Sequence, residues 1–250
     1  MTEDPEDHSF SEGQGFDDPY DAFDIDPPEL EVDPDQVDPV DTRVVTDMLD
    51  KHNVGSDNVD ADELIDVGLD YMRIKRHEQA TETFERAAQY ADDDRIEQEA
   101  WVNKGAAHAE LEEYDAAIGA YKEAIDIDGD SEHAATAETN LAYALWEFGR
   151  TEEALEHSER AVEIDPRFGQ AWYNRGFFLN ERGLAEDALN CFDNAVRLGF
   201  KNVELLEEKA VALEALGEDE RAEEVAEEAE DLRKEQEEKM VDQQNDRLSE

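Results

Sequence analysis

The sequence predicts an all-α fold, a right-handed α-solenoid of about five helix-turn-helix units behind a disordered acidic N-terminal arm. Three observations carry this expectation. Between Trp172 and Ala195 two apolar stripes follow one another at helical spacing, Trp172, Gly176 and Leu179, then Ala188, Phe192 and Ala195, with Gly183 between them. The pattern returns at a period of 34, with turn glycines at Gly149, Gly183 and Gly217 and small residues at Ala154, Ala188, Ala222 and Ala161, Ala195, Ala229. Lastly, only 39% of the chain is apolar, a low share for a globular core but enough for stacked units that each bury one stripe per helix.

Residues 1–40 contain six of the seven prolines, Pro5, Pro19, Pro27, Pro28, Pro34 and Pro39, among many acids. That density of charge and proline prevents a packed core, so disorder is expected. The aromatics within it, Phe10, Phe16, Tyr20 and Phe23, fit either a docking motif or a solubilising arm. From Asp41 to His52 the residues Val44, Val45, Met48 and Leu49 form a narrow stripe suited to a short helix, and a linker follows to residue 60.

The repeating frame then runs through the chain. Its first copy holds Leu64, Gly68, Tyr71, Ala80, Phe84 and Ala87, and its second Trp101, Gly105, Ala117, Tyr121 and Ala124. The third holds Leu141, Ala142, Leu145, Ala154, Ala161 and Pro166, the fourth Trp172, Gly176, Ala188 and Phe192, and the fifth Leu206, Ala210, Leu213, Ala222 and Ala226. These units resemble tetratricopeptide repeats, whose pattern is W-x2-L-G-x2-Y…A-x3-F…P. The expected units are 61–97, 98–134, 135–168, 169–202 and 203–236, with a fraying helical tail over 237–250. The first two units are 37 residues long, and the extra three are assigned to the acidic joints Asp92–Asp94 and Asp126–Asp130, where a longer loop costs little.

With 72 acids against 22 bases the formal net charge is −50, of which residues 1–60 supply −18 (20 acids, 2 bases). Such a charge excludes the basic footprint that nucleic acid or an anionic membrane requires. It also repels itself strongly in dilute buffer. With only 8 lysines, the composition resembles that of salt-accumulating halophilic archaeal proteins. No apolar run reaches the roughly 20 residues that span a bilayer, and the start, MTEDPEDHSF, lacks a signal-peptide pattern. A cytoplasmic protein is expected.

Catalytic and metal signatures find no support. Cys191 sits beside Phe192 with no obvious base on its face, and the six histidines form no HxxxH or HExxH pair. Asp126–Asp130 resembles the opening of a calcium loop, but Ser131 stands at the loop's sixth position and Ala137 at its twelfth, where glycine and glutamate are needed. No cofactor and no catalysis are therefore expected.

Binding is better supported. First helices of such a solenoid line its concave surface. Asn103, Asn140 and Asn174 occupy one register of three successive units. Asparagine is a mediocre helix former, and its carboxamide both donates and accepts. The family resemblance implies that asparagine in this slot pairs with the backbone of an extended peptide; the alternative is that it caps or solvates its helix. Tyr143, Trp146, Tyr173 and Phe177 fall near groove-facing slots, either as recognition surface or as core. The cation clamp by which some family members grip acidic C-termini is missing, since Ile65, Leu69, Thr136 and Asn140 stand in its slots. The expected function is a non-enzymatic module that binds a neutral, aromatic or basic protein segment in its groove. A structural protein that self-assembles through solenoid ends or convex surface is the second reading.

Overall fold

The computed structural model describes residues 60–249, and all ten of the elements among them are α-helices. The acidic arm expected over 1–40 and the short helix expected between Asp41 and His52 lie outside the described residues. The helices pair in order: α1 (Ala61–Arg73) with α2 (His77–Tyr90), α3 (Asp94–Glu110) with α4 (Tyr114–Ile127), α5 (Glu132–Glu147) with α6 (Thr151–Ile164), α7 (Gly169–Glu181) with α8 (Ala185–Arg197), and α9 (Val203–Ala215) with α10 (Asp219–Ser249).

Each hairpin closes in the same way. The amide five residues on donates back into the end of the first helix, as Arg76 to Tyr71 O (2.9 Å), Arg150 to Leu145 O (2.8 Å) and Leu184 to Leu179 O (2.9 Å). This closure places one turn residue in the left-handed region. Gly149, Gly183 and Gly217 take it with φ of 86°, 74° and 74°, and Lys75 and Glu112 take it in the first two hairpins at 59° and 60°. Local hydrogen bonding therefore overrides the usual demand for glycine there.

The first helices touch their counterparts along the stack, α1 on α3, α3 on α5, α5 on α7 and α7 on α9, while the second helices make no comparable row. A wall whose inner helices are in contact and whose outer helices are apart curves toward the inner row. The first helices thus line the concave face of an α-solenoid. Between the two rows runs the core, in which Phe84, Tyr121, Phe178 and Phe192 are the largest enclosed rings.

The extra residues assigned to the first two units are not in loops. The joints before α3 and α5 are short, and these helices are 17 and 16 residues long where the other first helices have 13. Asp93 accepts from Ile96 N and the Ser131 hydroxyl from Ala134 N, so each joint supplies an N-cap that starts its helix early. Acids at a helix N-terminus also suit the macrodipole. The calcium-like stretch has the same explanation, because Asp128 and Asp130 shape this joint and Arg160 pairs with Asp130 at 2.8 Å. At the other end α10 continues to Ser249, supported on its surface by Lys234–Glu230 (3.0 Å) and Lys239–Glu235 (2.8 Å).

The buried Gln98 at the start of the second unit ties that joint together. Its Nε2 donates to Ala124 O and Asp128 O, both at 2.7 Å, and its Oε1 accepts from the Ser131 hydroxyl at 2.8 Å. Replacing Gln98 by Leu leaves two enclosed carbonyls and one hydroxyl without that partner. The expected loss is about 3 kcal/mol, read by urea unfolding in molar KCl.

Candidate functional site

The concave wall is built from one register of the first helices. Leu69, Ala106, Tyr143, Phe177 and Val211 recur at spacings of 37, 37, 34 and 34 residues, so the stacking brings them into one apolar row. Leu69 (43% exposed), Tyr143 (46%) and Val211 (51%) stay open to solvent in a chain whose surface is otherwise crowded with charge. Beside it runs the register of Asp66, Asn103, Asn140, Asn174 and Glu208, where the asparagines have a carboxylate at either end.

At the middle of the row the wall opens into a hollow of about 360 Å³. Ala106, Ala109, Glu110 and Tyr121 line it from the second unit, Asn140 and Tyr143 from the third, and Gln170, Tyr173, Asn174 and Phe177 from the fourth. Its cause is a mismatch of size. The two alanines of α3 stand where the neighbouring units carry Tyr143, Trp146 and Phe177, and the missing bulk leaves the otherwise buried Tyr121 bordering the hollow.

The residues expected to form the site divide in this geometry. Asn140, Tyr143, Tyr173 and Phe177 come together in the hollow. Asn103 is half-buried one turn before Ala106 and is not part of the lining. Asn174 borders the hollow but is only 7% exposed, and its Nδ2 donates to Thr139 O at 3.3 Å across the repeat junction. Its amide is therefore already engaged in holding two units together, which asparagine spacing could not reveal. Trp146 also belongs elsewhere: it stacks on Phe178 (5.2 Å between centroids, 27°) and meets Phe177 edge-on (5.5 Å). Phe178 occupies a register that is alanine at 107, 144 and 212, and its bulk draws Trp146 into the core. Glu110, Tyr121, Gln170 and the two alanines were not foreseen as lining. The alanines were the available signal, since Ala106 stands in a register that is aromatic in the next two units (Tyr143, Phe177) and Ala109 in one that is Trp146 in the next.

The electrostatics of the hollow are one-sided. The Tyr143 hydroxyl is held above its ordinary range, first by burial and then by the Glu147 carboxylate beside it. Burial, then Glu208 and Glu204, pushes Tyr173 up to about 12. Both remain protonated donors at neutral pH. Among the described residues, neither Glu110 nor Glu147 has a basic partner within ion-pair distance. Cys191 is enclosed in the core behind the wall, where burial raises its thiol to about 11 although Arg175 acts in the opposite sense. It is a packing residue at neutral pH. Among the described residues, no group of three or more His, Cys, Asp or Glu could hold a metal ion, and no helix is long and apolar enough to cross a membrane.

Residues 96–167 and 179–237 each match a family model described as a tetratricopeptide repeat. Among curated relatives, a small glutamine-rich tetratricopeptide repeat-containing protein of Mycosarcoma maydis is 28% identical over 50% of this chain and 35% of its own length. An uncharacterized protein of Methanocaldococcus jannaschii is 39% identical over 18% of this chain and 51% of its own. The chain thus spans about a third to a half of those relatives. Similar solved structures include a MamA variant from RS-1 (17% identity, 70% of this chain, 96% of that one, TM-score 0.57) and BtubC from P. vanneervenii (16%, 69%, 80%, 0.60). YrrB, a TPR protein with an unusual peptide-binding site, aligns at 20% identity over 75% of this chain and 91% of its own with a TM-score of 0.52. At these identities the structures share the fold with this chain.

Proposed function

We propose that this chain, which carries tetratricopeptide repeats over residues 96–167 and 179–237, is a non-enzymatic interaction module that holds an extended segment of a partner protein in its concave groove. The observation that carries this reading is the open apolar row from Leu69 to Val211 on a protein of net charge −50. Exposed apolar surface is costly to maintain in such a context, and a recognition face accounts for it. The hollow beside Tyr143 supplies a central anchor point, and Asn140 is the asparagine whose amide stands free to meet a peptide backbone. YrrB provides a precedent for peptide binding on this fold. The unpaired carboxylates around the groove favour a neutral, aromatic or basic segment over an acidic one. The same charge, and repeats of this kind, favour a cytoplasmic site of action.

Peptide display against the full chain in molar KCl tests the proposal. Ligands so selected should lose about tenfold in affinity on Tyr143→Ala, because an anchor side chain of this size contributes about 1–2 kcal/mol. Helicity should not change, since Tyr143 is largely exposed. Selected ligands that bind the variant as tightly as the parent would defeat the groove reading.

The second reading, association through the solenoid ends, draws on α10. Its residues from Arg233 to Val241 are all exposed, Met240 at 62% and Val241 at 56%. Light scattering in molar KCl separates the two, because an end-on assembly grows with protein concentration and a groove binder does not.

A further inference from the structure

Four rings border the hollow, Tyr121, Tyr143, Tyr173 and Phe177, and among the described residues none of them stacks on another of the four. The cation–ring pairs among the described residues lie elsewhere: Lys104 over Trp101 at 4.7 Å, Arg76 over Tyr71 at 5.4 Å and Arg175 over Trp172 at 5.9 Å. Glu110 lies at the rim and Glu147 beside Tyr143, both without a basic partner among the described residues. Aromatic rings and carboxylates both attract cations, and here they converge on one cavity that no cation among the described residues is seen to enter.

We infer that this hollow is an anchor pocket for a cationic side chain of the partner, and specifically for arginine. The inference rests on the groove reading above and gives its partner a chemistry. A purely apolar side chain would cover Glu110 and strip its carboxylate of water without compensation. A quaternary ammonium would satisfy the rings but donate nothing to the acceptors present, which are the Glu110 carboxylate and the amide oxygens of Asn140 and Gln170. Guanidinium does both. Its plane lies against an aromatic face while its five N–H groups point outward in that plane, and it sheds water more readily than an ammonium. The phenols contribute neutral rings, because Tyr143 and Tyr173 hold their protons.

The test uses small probes on the full chain in molar KCl, where long-range attraction to the acidic surface is screened. N-acetyl-arginine methylamide is titrated by NMR alongside its lysine, leucine and citrulline counterparts. Citrulline keeps the shape of arginine and removes the charge. Arginine should bind about tenfold more tightly than citrulline or leucine and measurably better than lysine. Its advantage should fall about tenfold in Tyr143→Ala and in Glu110→Gln, two changes at exposed positions that leave the core intact. Citrulline or leucine binding as tightly as arginine, or no arginine binding at tens of millimolar, overturns the anchor. The two proposals fail separately. Displayed ligands that depend on Tyr143 yet lack a cation would remove the anchor and keep the groove, whereas ligands indifferent to Tyr143 would remove the groove itself.

Discussion

Gly105→Ala should lower stability by about 3 kcal/mol, seen as a drop of roughly 10 °C in the unfolding midpoint in molar KCl. A Cβ at this position would lie 2.4 Å from Tyr121 Cε1 and 2.6 Å from Cδ1, inside van der Waals contact. Tyr121 is 2% exposed and packed among Ala117, Leu141 and Leu145, so making room for the methyl means pushing the ring toward the hollow it borders and out of that packing. The same crossing recurs at Gly68 against Phe84 (2.4 Å) and at Gly176 against Phe192 (2.7 Å). The third and fifth units depart from this arrangement in a matched way. Ala142 replaces the glycine and Ser158 the ring in one, and Ala210 and Ala226 stand there in the other. Either a glycine admits a ring or a methyl group faces a small residue.

The pairing gives the prediction a second arm. Tyr121→Ser alone opens a cavity and is costly by itself. Adding Gly105→Ala to it should cost little more, because the methyl now faces the space the ring has left. The double-mutant cycle should therefore return a coupling of about 2–3 kcal/mol. Additive losses would show that the glycine serves something other than close approach of α3 and α4.

The chain should also lose much of its helicity in buffer without added salt and recover it in molar KCl, as followed by circular dichroism. Two electrostatic effects oppose each other here. Several scarce cations bridge successive units, as Lys104–Glu85 (3.2 Å), Arg175–Glu159 (3.3 Å), Lys209–Asp193 (2.6 Å) and Lys201–Glu228 (2.6 Å). Salt weakens such pairs. Yet each is partly exposed and contributes about 0.2–1 kcal/mol, so their combined loss is a few kcal/mol. Repulsion within a net charge of −50 grows with the square of that charge and is screened at the same time, when the Debye length falls to about 3 Å at 1 M. Repulsion should win, and stability should rise with salt. Full helicity at low salt would remove the halophilic reading of the composition, and a loss of helicity on adding salt would show that the bridges dominate.

Much of the fold was legible because its determinants are local and repeated. Turn glycines at 149, 183 and 217, with alanines at matched positions of the second helices, mark the hairpins within a single period. At the two acidic joints Asp92, Asp93, Asp128 and Asp130 lie between helices as expected, but the extra length goes into the helices that the caps Asp93 and Ser131 start early. A run of acids marks the joint but does not show where the next helix begins, since acids suit both a solvated joint and a helix N-terminus. The turns at Lys75 and Glu112 carried no sign of a left-handed residue for the same reason, because the hydrogen bond that enforces the conformation is formed only when both helices are in place.

The groove was legible only as a register. By itself the sequence determined that the chain is a stack of helical hairpins, that its charge is extreme, and that asparagines and aromatics share the inner face. The tertiary structure alone decided which of them remain available. It bound Asn174 to Thr139 O, drew Trp146 onto Phe178, and opened a hollow where Ala106 and Ala109 fail to fill the space before Tyr143, Tyr173 and Phe177. The physical reason is that a side chain's exposure on this wall depends on the volume of neighbours 34 to 37 residues away. Helical periodicity fixes the direction in which a residue points, and only the packed stack determines what it meets there.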